Sequence, residues 1–308
     1  MFLKVRFWGV RGSIPSPGAE TIRYGGDTTC IELRVGNEII VFDAGSGIRP
    51  LGLKLMGEAQ GAPIKVHLFI THTHWDHIQG FPFFVPAFIP NNHIIVYGAD
   101  HETMPLSELF SGQMEREYFP IPIVAMGAKV EFTSISEETL KIGDIEISSM
   151  FVNHPSMAFA YRIDYNGHSV VFGGDHEPYN NMLSYSKLAY QVNGKQLDIE
   201  VNGQEEFSQL LDKKLALFCQ DADLLIFDTA YTLDLYPQRE GWGHSYPEYA
   251  VHIANMAGVK RLALTHHDPT DTDEKVDAKV KHTRQFIKSS KLSIECFAAQ
   301  FGLELDIE

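Results

Sequence analysis

The stretch Thr71-His72-Thr73-His74-Trp75-Asp76-His77 sets three imidazoles and a carboxylate side by side. These are the donors that borderline divalent ions such as zinc accept. No packing requirement explains them in a chain with only 14 histidines among 308 residues. Two residues apart on extended chain, His72 and His74 point to the same side. Asp76 and His77 stand where a helix could open and aim both back at a neighbouring point. One cluster could therefore feed two metal ions.

Further donors follow apolar runs. His154 comes after 145–151, Asp175 after 169–173 and His266 after 261–265. Gly173 and Gly174 allow close backbone approach beside Asp175. One histidine after a strand is more often structural than a ligand. Three strand-end donors beside the first cluster favour a binuclear site. His176 and His267 each adjoin a donor, but chain neighbours on extended backbone point oppositely, so both stay outside the metal sphere.

The elements that must position these residues read mostly as strands. Expected strands are 2–10, 29–35, 38–43, 66–71, 94–97, 129–132, 145–151, 158–165, 169–173, 224–228 and 261–265. Helices are expected at 205–218, 247–257 and 276–288. The order suggests sheet layers covered by helices in one domain, 1–308, with insertions near 91–127 and 185–206. Asn193-Gly194 and Asn202-Gly203 make 190–206 a hairpin, acting as a lid or in a homodimer.

Composition sets the outer limits. With 44% hydrophobic and 21% charged residues, the chain can bury a large core. A net charge of −15 argues against nonspecific nucleic-acid binding but not against a small phosphorylated substrate. Three scattered cysteines suit a reducing compartment. The first residues lack a signal peptide's apolar core and no run reaches membrane-spanning length, so a cytoplasmic protein is expected.

Together, His72-x-His74-x-Asp76-His77, His154, Asp175 and His266 resemble the metallo-β-lactamase superfamily, and Asp43-Ala44-Gly45 resembles its early Asp-Gly motif. The resemblance implies an α+β fold, a four-layer αβ/βα sandwich of two mixed β-sheets with the site on one edge. It implies that His72, His74 and His154 hold one metal, that Asp76, His77 and His266 hold the other, and that Asp175 bridges. Two ions about 3.5–4 Å apart would share a hydroxide able to attack a carbonyl or a phosphorus. Zinc is the first choice; manganese or iron would accept the same donors.

A bridging aspartate resembles the phosphodiesterase-like and thioester-hydrolysing branches. Gly241-Trp242-Gly243-His244-Ser245, with the helix after it, resembles transfer-RNA 3′-processing enzymes and related phosphodiesterases. His244 is then a general acid or phosphate contact, counted with Asp76 as catalytic, unless it merely neighbours a helix cap. Asp43 and Asp228 are expected behind the ligands. His154 and Asp175 lie only 21 positions apart, too few for the long arm of the tRNA enzymes. A small phosphodiester such as a cyclic nucleotide is therefore expected as substrate, and a nucleic-acid polymer is set aside. The alternatives are a thioester or lactone hydrolase and a noncatalytic metal-binding sensor.

The segments 7–15 and 24–30, with Gln113-Met114 and Tyr118-Phe119-Pro120, resemble a bacterial cyclic-nucleotide phosphodiesterase-like subgroup. Arg11 could reach a phosphate or sit in a structural salt bridge. Met114, Tyr118 and Phe119 could wall a pocket that stacks a base, or form core or a dimer surface.

Overall fold

In this chain runs of β-branched and aromatic residues broken by Gly, Asn and Pro become strands. The computed structural model describes residues 3–101, 103–181, 187–192, 195–200 and 204–308. The first strands are β1 (Leu3–Gly9), β2 (Cys30–Val35), β3 (Glu38–Phe42), β4 (Lys65–Phe69), β5 (His93–Gly98) and β6 (Lys129–Ser134). Next come β7 (Thr139–Ile142), β8 (Ile145–Val152), β9 (Ala158–Tyr165), β10 (His168–Phe172), β11 (Lys187–Val192) and β12 (Lys195–Glu200). The last are β13 (Leu224–Asp228), β14 (Arg261–Thr265), β15 (Glu295–Ala298) and β16 (Glu304–Ile307). The helices are α1 (Ile48–Ala59), α2 (Trp75–Ile78), α3 (Leu106–Gly112), α4 (Gln204–Phe218), α5 (Pro247–Ala257) and α6 (Asp273–Ser289).

Two seven-stranded mixed sheets result, in the orders β16-β1-β2-β3-β4-β5-β6 and β15-β14-β13-β10-β9-β8-β7. Their inner faces meet through Val5, Phe7, Leu33, Phe42, Ile147, Tyr161, Phe172 and Ile226. One outer face packs Val41, Val66 and Leu68 on Leu51 and Leu55 of α1. The other packs Leu225, Phe227 and Leu264 on Leu215 of α4, Ile253 of α5 and Val276 of α6. In β13 successive residues therefore bury on opposite faces, as a parallel strand covered on both sides must. Each such side chain contributes roughly 1.5–3 kcal/mol relative to exposure. The result is the expected α+β, four-layer sandwich.

Several features depart from the sequence reading. Helix α1 was not foreseen, because Pro50, Gly52 and Gly57 weaken its pattern. Gly52 is there for contact: a Cβ would sit 2.9 Å from Phe84 and 3.0 Å from Pro86. Strand β5, expected at 94–97, pairs on both sides, with β4 and β6, and so belongs to the sheet although it falls within the stretch 91–127. Strands β11 and β12 pair as a hairpin, whereas Asn193-Gly194 and Asn202-Gly203 lie outside the described residues. Among the described residues no helix is long and apolar enough to cross a membrane.

Strands β3 to β6 run parallel, as do β10, β13, β14 and β15. Ligand sites in open α/β sheets gather beyond the carboxyl ends of such strands. Here β3, β4, β10, β13 and β14 lead into Asp43, His72–His77, Asp175, Asp228 and His266.

Candidate metal centre

Strand β4 runs out at Phe69, and the chain turns through Thr71 and His72 into the single turn of α2. His74 stands just ahead of α2 and accepts the amide of His77 at 3.0 Å. Asp43 and His266 hold left-handed backbone, with φ of 62° and 57°. Such values are uncommon outside glycine and gather at functional sites.

Of three overlapping donor groups among the described residues, Asp175, Asp228, His244 and His266 form one. The other two are His72, His74 and His154, with Nδ1 of His74 and Nε2 of His154 3.1 Å apart, and Asp76, His77, Asp175 and His266. The Asp175 Oδ2 lies between them, 3.2 Å from Nε2 of His77 and of His266 and 3.8 Å from Nε2 of His72. Asp76 Oδ2 is 3.3 Å from the same nitrogens of His77 and His266. Nε2 of His72 and His77 are buried without hydrogen-bond partners. Buried nitrogens rarely stay unsatisfied, so these two fit a cation better than they fit apolar surroundings.

A shell of contacts sets which ring nitrogen faces inward. Nδ1 of His77 donates to Asp43 at 2.7 Å, and Asp43 is held by the Thr71 amide and hydroxyl. Nδ1 of His154 donates to the Gly243 carbonyl at 2.9 Å. Both contacts turn Nε2 toward the cluster, as carboxylates and carbonyls behind metal-bound histidines do. His244 lies at the edge, its Nδ1 2.9 Å from Asp228 and its ring stacked on His266 at 4.6 Å. Asp228 also accepts the amides of His176 and Ala230.

The electrostatics agree. Four carboxylates, Asp43, Asp76, Asp175 and Asp228, are buried within this small volume. Uncompensated, each would cost several kcal/mol. Burial alone would lower His77 and His266, yet the surrounding aspartates, Asp175 foremost, push both well above the ordinary histidine range. Burial, then the charge on His77, drives His72 well below it, and burial lowers His154 to about 4. The carboxylates thus demand positive charge, which dications would supply while leaving all the imidazoles neutral and able to coordinate.

Other expected residues fall elsewhere. Arg11 is fully buried, and its guanidinium ties the carbonyls of Gly25 at 2.8 Å, Asp271 at 2.6 Å and Asp268 at 3.3 Å. It clamps loops together and is not placed to meet a phosphate. Met114 is 1% exposed inside the core beneath α1, so it lines no open pocket. Phe119 packs edge-on against Phe83, and Tyr118 is exposed. His176 stacks on Tyr249, and His267 bonds the Ala299 carbonyl.

Some contributors escaped the sequence reading. The Ser13 amide donates to Asp76 Oδ2 at 2.7 Å. Buried Glu177 accepts the amides of Gly241 at 2.6 Å and Gly243 at 2.9 Å, fixing the loop that carries His244. Its place two residues after Asp175 was the only available signal. Gly243 itself is required: with φ 87°, its Cβ would lie 2.3 Å from Nδ1 of His154.

Residues 23–240 match the family model described as Metallo-beta-lactamase superfamily. The chain belongs to that superfamily. It is a metal-dependent hydrolase of that superfamily. It is 29% identical over 289 residues to Ribonuclease Z of Thermococcus kodakarensis, covering 86% of this chain and 83% of the relative. Unliganded yeast PDE1 superposes with a TM-score of 0.67 at 14% identity, covering 100% and 99% of the two chains. Human tRNase Z, short form, gives 0.61 at 18% identity, covering 99% of each.

These relatives overturn one expectation. A nucleic-acid polymer was set aside on net charge and on the missing arm. Yet a relative matching most of the chain is named a ribonuclease. Net charge is a sum over the whole surface and leaves local charge open. One cleft of about 630 Å³ carries Arg261, Lys281, Arg284 and Lys288 together with Asp277 and Glu295. The turn at Asn166-Gly167 does join β9 directly to β10, but that settles the connection alone.

Proposed function

We propose that the chain hydrolyses phosphodiester bonds at a two-metal centre. His72, His74 and His154 hold one ion, Asp76, His77 and His266 the other, and Asp175 is shared. Zinc suits the donors best, with manganese or iron as substitutes. Such ions, when bound, supply Lewis acidity and lower the pKa of water. Asp43 and the Gly243 carbonyl keep Nε2 of His77 and His154 turned inward, and the Ser13 amide steadies Asp76.

The observation that carries the reading is the His244–Asp228 pair at the edge of the cluster. With Nδ1–H committed to Asp228, a doubly protonated His244 can hand its Nε2 proton to the departing oxygen and end as the neutral Nδ1–H ring. Beyond the ligands, a diester whose alkoxide leaves as a poor leaving group gains most from such an acid. The names Ribonuclease Z and PDE1 on relatives support the same chemistry. A cyclic nucleotide and a precursor tRNA are the substrates to try first.

The test loads the protein with zinc or manganese and assays bis-p-nitrophenyl phosphate, 3′,5′-cyclic AMP, a precursor tRNA, a thioester and a lactone. Diester turnover is expected, and on 3′,5′-cyclic AMP it should fall by about 10²–10⁴-fold in His244→Ala with metal content unchanged. Thioester or lactone turnover with diesters at background would sink the reading.

A further inference from the structure

The chain has three tryptophans. Trp8 is buried, with its indole N–H bonded to Glu32. Trp75 and Trp242 are 80% and 56% exposed. An indole is a large apolar plane that folding normally hides. Leaving two in solvent calls for something that covers them.

Their positions are linked through one imidazole. Trp75 follows His74, whose Nδ1 meets Nε2 of His154 at 3.1 Å. Trp242 precedes Gly243, whose carbonyl accepts from Nδ1 of that ring at 2.9 Å. Trp75 and Trp242 therefore each adjoin a residue in contact with His154, through the His74 side chain at Nε2 and the Gly243 carbonyl at Nδ1. The Arg239 guanidinium lies 4.3 Å over the Trp242 ring, adding a cation to this rim in a chain of net charge −15.

We propose that Trp75 and Trp242 form a base-stacking platform beside the metal centre, so that the phosphodiester substrate carries a nucleobase. This rests on the phosphodiesterase reading above and narrows it. Every nucleobase presents a flat π face, and aromatic side chains or a guanidinium plane stack on it with little sequence preference. The metals take the phosphate, and the indoles take the base attached to it. A substrate without an aromatic group forfeits that second contact.

Calorimetric titration of the metal-loaded full chain with AMP and with ribose 5-phosphate isolates the base, since both probes offer the same phosphate. AMP should bind the wild type about tenfold tighter or more. Trp75→Ala and Trp242→Ala should each shrink that ratio, the double variant should bring it to one, and Trp75→Phe should preserve it. Ribose 5-phosphate should bind all variants alike. Equal affinities for both probes in the wild type, no binding of either, or a ratio that survives the double variant would each overturn the platform. The outcome is separable from the reaction: an intact ratio without diester turnover leaves the platform and removes the phosphodiesterase, and the reverse pattern does the opposite.

Discussion

His154 and Gly243 stand 89 positions apart in the chain and are joined by a 2.9 Å hydrogen bond from imidazole Nδ1 to backbone carbonyl. That bond ties the donor after β8 to the loop before α5 carrying His244. The loop's grip on the ring leaves no room for a side chain at 243.

Gly243→Ala should therefore displace His154. The new Cβ would clash at 2.3 Å, and the backbone φ of 87° adds a cost of about 1 kcal/mol or more. Bound metal per chain should fall, measured by atomic emission. Gly241→Ala is the control: its φ is 84°, but a Cβ there meets nothing within 4 Å. Equal metal loss in both variants would contradict the steric account.

Glu177→Gln should loosen the same loop without touching a donor. One of the two amides loses its acceptor and the other keeps a neutral one, where charged hydrogen bonds of this kind contribute about 1.5–3 kcal/mol. Turnover should drop several-fold, chiefly in kcat, with a lowered melting temperature and full metal content. An unchanged kcat would show that the clamp does not govern His244.

Asp228→Asn should replace the carboxylate at His244 Nδ1 by a neutral amide. The doubly protonated ring would lose its anionic partner, and kcat should fall by roughly 10²-fold or more. The descending limb of the pH–rate profile should move as well. A profile identical to the wild type would remove Asp228 from the role of orienting His244.

Metal removal should cost stability as well as activity. The cluster buries four carboxylates, whose charge a bound dication would offset in the folded state. Ligand at 100 times its Kd adds about 2.7 kcal/mol. Calorimetry with and without a chelator should show a lower melting temperature after chelation, restored by added zinc or manganese. A melting temperature indifferent to metal would refute binding at this cluster.

Acid should weaken the fold partly through His67 on β4. Burial, then Lys65 and His93, lowers this imidazole to about 4, against an ordinary 6.5. Because the folded value is depressed, the unfolded chain takes up the proton first. Stability therefore falls as pH drops from about 6.5 to about 4, and this contribution is flat outside that window. Urea midpoints across that range should decline less steeply in His67→Gln. Parallel slopes would show that His67 contributes nothing to acid sensitivity.

Much of this protein could be read from residue types and spacing. The His72–His77 stretch declares itself, because donor chemistry belongs to the side chains and six residues cannot move far apart. Most strands were legible because apolar runs bounded by glycine or proline have one sensible use. Helix α1 was hidden because Gly52 answers to Phe84 and Pro86, more than thirty positions away. Strands β15 and β16 were missed for a similar reason: they are short, and their partners β14 and β1 are chosen by long-range pairing.

The sequence by itself determined the donor-rich His72–His77 stretch and the layering of strands under helices, since these follow from local chemistry and periodicity, while the α+β sandwich and the full donor set came with the family resemblance. Only the tertiary structure decided that Arg11 is a buried clamp, that Met114 belongs to the core, and that Glu177 holds the His244 loop. It alone brought His74 and Gly243, the chain neighbours of Trp75 and Trp242, onto the two ring nitrogens of His154. Those relationships depend on which distant backbone groups meet once the two sheets have packed, and no short stretch of chain carries that information.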